Sequence, residues 1–203
     1  MRGFMAGPVV QGGSPPPAEA EAAATVELRT DAIDSELGPI VIVTDARALR
    51  ALDFGDCGER MKALLSRRFG HFVLRHEVNP LGVSERVRAY FAGELHAIDR
   101  IPVEPGGTEF QRTVWSALRQ IPAGSTRTYG QLAASIDRPS ASRAVGLANS
   151  LNPVAIVIPC HRVIGSDVSL TGYAGGLDRK RWLLRHEGAL LDRDARWGRR
   201  RRH

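Results

Sequence analysis

The sequence predicts an α+β protein in two parts: a small antiparallel sheet with helices, then a mostly helical domain that contains a helix-turn-helix. Three observations predict it. Residues 26–54 alternate apolar with polar or run apolar in short stretches parted by turn residues, which is the pattern of strands. Residues 59–69, 83–95 and 108–121 instead carry apolar side chains at helical spacing. Pro105-Gly106-Gly107 lies between the two kinds of pattern and reads as the hinge. The expected division is a disordered extension at 1–25, a scaffold domain at 26–104, a second domain at 108–190 and a basic tail at 191–203.

Taken in order, Val26-Glu27-Leu28-Arg29 alternates, Gly38-Pro39 marks a turn, and Ile40-Val41-Ile42-Val43 is an apolar strand followed by another at 49–54. Met61, Leu64 and Leu65 stripe the first helix. Val83, Val87, Tyr90 and Phe91 stripe the second, with Ser84 as its cap and Gly93 close to its end. A further short strand is expected at 98–103. In the second part Phe110, Val114, Trp115 and Leu118 form a core-facing stripe, Thr108 is the N-cap, and Pro122-Ala123-Gly124 ends the helix. A short helix at 129–136, a turn at Asp137-Arg138-Pro139 and a helix at 140–149 capped by Ser140 make the helix-turn-helix. The wholly apolar run Val154-Ala155-Ile156-Val157-Ile158, bounded by Pro153 and Pro159, reads as one buried strand.

Composition narrows the function. The 203 residues carry a net charge of +6, which makes a polyanionic partner plausible. Lysine appears only at Lys62 and Lys180, so arginine, suited to phosphate forks and to stacking on bases, supplies nearly all the positive charge. Two cysteines, Cys57 and Cys160, are too few for a disulfide framework, and no Cys/His cluster has zinc-ligand spacing. No structural metal, no cofactor and a reducing cytoplasm are therefore expected. No apolar run is long enough for a membrane span, and the first residues lack a signal-peptide core. Gly12-Gly13-Ser14-Pro15-Pro16-Pro17 and the Ala/Glu run after it cannot bury enough apolar surface to order themselves. Four consecutive arginines, 199–202, suggest a solvated tail with a salt-dependent phosphate contact as a secondary role.

The chemistry centres on Ile158-Pro159-Cys160-His161-Arg162-Val163. Proline fixes a backbone angle just before the thiol, and histidine is the commonest partner of a reactive one. Neighbours in an extended chain point to opposite faces, so contact between the sulfur and His161 needs a turn or a bridging water. Near it, the second helix of the helix-turn-helix presents small residues, Ser140, Ala141, Ser142, Ala144 and Gly146, around a lone Arg143. A face without bulk can approach a groove closely. His71, His76 and His96 are scattered, and Cys57 sits in a polar turn without a nearby histidine, so neither reads as a site.

Around this centre lie Tyr129-Gly130-Gln131-Leu132-Ala133, the 142–149 helix, Asn152-Pro153, Gly172-Tyr173-Ala174-Gly175-Gly176 and Trp182-Leu183-Leu184-Arg185-His186-Glu187-Gly188. In that order, from about 110 to 188, the chain closely resembles the active-site domain of the 6-O-alkylguanine-DNA alkyltransferases, bacterial type without an amino-terminal zinc domain. A weaker resemblance, on Ser35-Glu36-Leu37-Gly38-Pro39 and 91–94, extends to the family's ribonuclease-H-like scaffold, and the second domain is then winged-helix-like.

The resemblance implies direct-reversal repair of 6-O-alkylguanine, with 4-O-alkylthymine as a second lesion, by a monomer that binds alkylated double-stranded DNA in the minor groove. It implies Cys160 as irreversible acceptor, His161 as base through a water, Glu187 as the holder of His161 and Tyr129 as donor to N3 of the leaving guanine. Arg143 would fill the space left by the extruded nucleotide. Ser140, Ala141, Ser142, Gly146 and Asn152 would stand with it against DNA, and Asn152-Pro153 would link the recognition helix to the active-site strand. Tyr173 would wall the pocket, and Cys160, Val163 and Ala174 would read the guanine edge. Gly172, Gly175 and Gly176 suit a loop with positive backbone angles. Ala174 stands where relatives often carry a larger or polar residue, so alkyl-size range and inhibitor sensitivity do not carry over, and Val168 stands where a glycine is common, so the loop's conformation does not carry over either. Three alternatives compete: a lesion sensor that binds without reacting, a cysteine hydrolase, and a regulator fused to repair chemistry. The presence of Cys160 argues against the first, Arg143 and the helix-turn-helix against the second, and the lack of an amino-terminal cysteine cluster against the third.

Overall fold

The computed structural model describes residues 25–167 and 169–189, so the expected extension at 1–24, the Val168 position and the arginine tail lie outside the described residues. Strands β1 (Val26–Ile33), β2 (Ile40–Thr44) and β3 (Leu49–Phe54) form an antiparallel meander. Its first turn is closed by Ser35, whose hydroxyl donates to the Gly38 carbonyl at 2.6 Å, with Gly38 at φ 92°. In the second turn Asp45 accepts from the Arg47 and Ala48 amides at 2.8 and 2.9 Å, which locks the reversal.

Helix α1 (Gly58–Phe69) packs Met61 and Leu65 against Leu28, Val43 and Ala51 on one face of the sheet. Helix α2 (Val83–Phe91) brings Val83, Val87 and Tyr90 to the cluster that holds Ile33, Ile40, Ile42, Leu52 and Phe54. Helix α1 falls where the apolar spacing places it, and α2 starts where that spacing does. A fourth strand, β4 (Phe72–His76), pairs parallel to β1 and gives the order β3-β2-β1-β4. It was not expected: four of its five residues are exposed, so no alternation marks it.

The second part opens with α3 (Glu109–Arg119), capped as expected by Thr108. The Thr108 hydroxyl accepts from the Gln111 amide and Gln111 answers to the Thr108 amide, a reciprocal cap of about 1 kcal/mol. Helices α4 (Tyr129–Ala134) and α5 (Ser142–Ser150) are the helix-turn-helix, flanked by the short parallel pair β5 (Arg127–Thr128) and β6 (Val163–Ile164). Trp115 ties α3 to α5 by donating Nε1–H to the Ala148 carbonyl at 2.9 Å. Helix α6 (Leu177–His186) closes the described chain.

Five local expectations need correction. The run 154–158 is buried throughout but is not a strand: only Val154 bridges Leu52, and the chain then coils so that the Ile158 amide reaches the Val154 carbonyl at 3.0 Å. An unbroken apolar run reports burial without reporting period. Residues 98–103 form no strand: 98–100 turn, and of the rest Val103 alone bridges Leu49. Ser84 is not a cap: it lies inside the first turn, fully buried, and donates to Asp31 Oδ2 at 2.5 Å. Ser140 does not cap α5 either, because the helix starts two residues later, behind Ala141. Helix α2 stops at Phe91, and Gly93 follows at φ 102°.

Strand β3 joins the two parts. Its Leu52 amide donates to the Pro153 carbonyl at 3.0 Å and its carbonyl accepts from Ala155 at 2.8 Å, which anchors the coil leading to Cys160 on the scaffold.

Candidate active site

Cys160 opens a 3-10 turn, Cys160–Arg162, directly after Pro159. The turn supplies the reversal that adjacent residues need to avoid opposite faces, and it buries all three side chains. The sulfur accepts from Asn152 Nδ2 at 3.2 Å; the same amide donates to the Ile158 carbonyl at 2.8 Å and takes the Val154 amide on Oδ1 at 3.0 Å. Asn152, expected both among the DNA-binding residues and in the substrate pocket, is thus 2% exposed and bonds the sulfur and its coil. Asn152 is itself held from the scaffold, because Arg60 of α1 donates to the Ser150 and Asn152 carbonyls at 2.7 and 2.8 Å and pairs with buried Asp53.

The thiol faces a cavity of about 320 Å³ lined by Tyr129, Gly146, Asn149, Ser150, Gly172, Tyr173 and Ala174. That is the size of a small-molecule pocket, enough for one base. Gly175 is required here by close approach, since a Cβ would meet the Phe54 ring at 2.5 Å. Of the loop glycines only Gly176 takes a positive φ, 90°; Gly172 and Gly175 do not, contrary to expectation. Tyr129 stands half-buried at the start of α4, which the Thr128 and Gln131 cap fixes. Val163 is buried in β6, and its carbonyl accepts from Lys180 Nζ at 2.5 Å. Arg143 and Ser140 are exposed, Ala141 and Ser142 are half-buried, and Gly146 is half-buried on the cavity side against the Tyr129 ring.

Behind the thiol a closed cluster of polar groups is centred on Glu187. Its Oε1 accepts from Tyr90 Oη at 2.7 Å, from His161 Nε2 at 2.9 Å and from Arg162 Nη2 at 2.8 Å, while Oε2 accepts from Arg162 Nε at 2.8 Å. Burial pushes the Glu187 carboxyl up, but the hydrogen bonds from His161 and Arg162 and the Arg162 charge outweigh it and hold it well below the usual carboxylate range. An ionised carboxylate only accepts, so Nε2 of His161 carries the proton and Nδ1 carries the lone pair. That Nδ1 has no hydrogen-bond partner, although the side chain is fully buried. Burial lowers the His161 pKa and keeps the imidazole neutral, against the pull of Glu187. Burial likewise raises the Cys160 thiol, with Asn152 and Lys180 acting the other way. The resting site therefore holds a protonated thiol and a neutral imidazole.

The fold brings together residues that the sequence names: Cys160, Tyr129 and Tyr173 on the cavity, with His161 bonded to Glu187 behind it. Sequence reasoning missed Tyr90, Arg162, Lys180, Asn149 and Arg60. Signals existed for two of these: Arg162 interrupts an apolar stretch, and Lys180 is one of two lysines in the chain. Lys180 is fully buried, donates also to the Thr171 carbonyl at 2.8 Å, and burial brings its pKa down to about 8. Among the described residues no group of three or more His, Cys, Asp or Glu side chains could hold a metal ion.

A sheet-backed scaffold that delivers one buried thiol to a base-sized cavity beside a helix-turn-helix defines a class of DNA-handling protein with a cysteine as its reacting group. Known proteins agree. Residues 109–189 match the family model described as 6-O-methylguanine DNA methyltransferase, DNA binding domain, and 28–105 match the ribonuclease-like domain of the same family. The methylated-DNA–protein-cysteine methyltransferase of Salmonella typhimurium is 50% identical over 169 residues, covering 82% of this chain and 99% of that protein. The one from Methanosarcina acetivorans is 47% identical over 156 residues, covering 77% and 96%. The crystal structure of Mycobacterium tuberculosis OGT in complex with DNA superposes with a TM-score of 0.66 at 41% identity, over 81% of this chain and 94% of that one. The chain belongs to the 6-O-methylguanine-DNA methyltransferase family.

Proposed function

We propose that this protein repairs DNA by direct reversal, moving the alkyl group of 6-O-alkylguanine in duplex DNA to the sulfur of Cys160, once per molecule. The observation that carries the reading is the pairing of a buried thiol in a base-sized cavity with a histidine whose free Nδ1 has no partner. His161 takes the thiol proton through one water and becomes an imidazolium held by Glu187. The thiolate then attacks the alkyl carbon: a C–S bond forms, the C–O6 bond breaks, and the electron pair stays on the guanine, where Tyr129 donates to N3. A thioether has no ordinary leaving step, so the protein is both catalyst and product.

The reacting carbon sits inside a duplex, so the nucleotide must leave the stack at a cost of a few kcal/mol. Helix α5, with its small residues and exposed Arg143, enters the minor groove, and the arginine takes the vacated place. Asn152 acts from within, on the sulfur. The scaffold at 26–104 and the acceptor domain at 108–190 work as one monomer in the cytoplasm; among the described residues no helix is long and apolar enough to cross a membrane.

Mass spectrometry after mixing with an oligonucleotide that carries 6-O-methylguanine tests the reading. One methyl on the Cys160 peptide, saturating at one per protein, is expected; tight lesion binding without modification would leave a sensor, and neither binding nor transfer a hydrolase. Arg143→Ala should slow transfer from duplex DNA about tenfold, the scale of an unstacking energy, and spare transfer from the free base. Equal losses on both substrates would remove Arg143 from the groove.

A further inference from the structure

Three of the four hydrogen bonds to Glu187 come from the acceptor domain, but the shortest comes from elsewhere. Tyr90 lies on α2 of the scaffold, 97 residues away in sequence, fully buried, with its hydroxyl donating to Oε1 at 2.7 Å. Glu187 stands at the C-terminal cap of α6, where the helix dipole disfavours a negative charge, so its ionised form depends on the donors aimed at it. Oε1 is also the oxygen that takes the proton-bearing Nε2 of His161. The Tyr90 ring is fixed in turn by edge contacts to Phe91 and His186 at 5.4 and 5.1 Å, and His186 donates or accepts nothing at the carboxylate, meeting the Tyr90 carbonyl instead at 2.8 Å.

We infer that Tyr90 is a positioning residue for alkyl transfer: its hydroxyl fixes the Glu187 carboxylate and limits how strongly that carboxylate attracts the proton on His161. This rests on the proposed function above. A donor shared with His161 on one oxygen spreads the carboxylate charge, so less of it stabilises the imidazolium. Removing the hydroxyl leaves Glu187 ionised by Arg162 and His161 but turns more of its charge on the imidazole. The groups facing His161 are otherwise unchanged: Glu187 at the end of α6, Arg162 beside it, Lys180 from within α6, and Cys160 and Tyr173 on the cavity side. His161 then holds its proton to higher pH and is a competent base over a narrower range. The scaffold thereby tunes the reaction without touching the substrate.

The test is the single-turnover rate of methyl transfer from a duplex oligonucleotide carrying 6-O-methylguanine, followed as a function of pH for wild type, Tyr90→Phe and Val87→Ala. Val87 is a fully buried α2 residue with no polar side-chain atom to offer Glu187, and it reports plain loss of packing. Tyr90→Phe is expected to transfer about tenfold more slowly at pH 7, the scale of one hydrogen bond to a charged group, with the acid limb of the profile moved to higher pH. Val87→Ala is expected to lose melting temperature without moving that limb. An unmoved limb in Tyr90→Phe, or the same rate loss in both variants, overturns the inference. Wild type that fails to transfer at all sinks the functional reading itself, a separate outcome visible before either variant is compared.

Discussion

Cys160→Ala is expected to abolish alkyl transfer while leaving lesion binding within about twofold of wild type. The thiol contributes the only soft nucleophile of the cavity wall, where the remaining candidates are the hydroxyls of Tyr129, Ser150 and Tyr173. Hydroxyls are poor nucleophiles at their own pKa and none of these has the base that His161 offers. The substitution should also be quiet structurally. Asn152 loses the sulfur but keeps the Ile158 carbonyl and the Val154 amide, so the coil around the site retains its hydrogen bonds. Lesion affinity read by fluorescence anisotropy and methyl gain read by intact mass separate the two properties; residual methylation would place the acceptor on another residue.

The second large effect is on stability. Glu187→Ala removes the acceptor of four hydrogen bonds and strands the Arg162 guanidinium and the Tyr90 hydroxyl in the core. Taking one partner from a buried ion pair costs about 3–5 kcal/mol, because the remaining charge has lost both water and its counterion. Against a total stability of roughly 5–15 kcal/mol, that brings the protein near unfolding. The urea midpoint should fall steeply, and transfer should vanish even in the folded fraction. Glu187→Gln keeps the shape and loses the charge, so it isolates the electrostatic part; equal midpoints for wild type and both variants would show that the cluster contributes nothing.

The pH dependence follows from two folded-state pKa values that both lie below their unfolded values, so both groups weaken the fold as pH falls. Glu187 has its folded pKa depressed below the ordinary 4.5, so its contribution is complete above that value and fades as pH falls through the lower folded one. His161 is held neutral in the fold, so the unfolded chain gains a proton that the folded one refuses. Stability therefore declines first, as pH drops below about 6.5, and the carboxylate joins only in strong acid.

How much of this could be seen in the sequence depends on the kind of information each residue carries. The Thr108 cap and the Phe110, Val114, Trp115, Leu118 stripe are local, and α3 lies where they put it. Cys160 and His161 were legible because the surrounding words of sequence are specific. The coil at 154–158 was not, since an all-apolar run buried on every side has no period to read, and it includes Ile156 at φ 68°, a conformation that costs a β-branched residue about 1–3 kcal/mol and that no pattern announces. Tyr90 shows the deeper limit. Its place in an apolar stripe predicts a buried ring, but where the hydroxyl at the ring's far end finds its partner is settled by tertiary packing alone. Arg162 and Lys180 are hidden for the same reason: charge in a sequence suggests surface, and only the assembled core reveals the carboxylate and carbonyls that make burial tolerable.

A protein consumed by a single reaction gains nothing from a thiol that is reactive too soon. The residues proposed to arm Cys160 are spread along the chain, with Tyr90 in α2 and Glu187 just beyond α6. Until α2 and the end of α6 have met around Glu187, nothing holds the His161 ring in place, and the sulfur of a partly folded chain is an ordinary thiol. On the proposed function, completing the fold is thus the step that readies the sulfur, and an incompletely folded molecule is not spent.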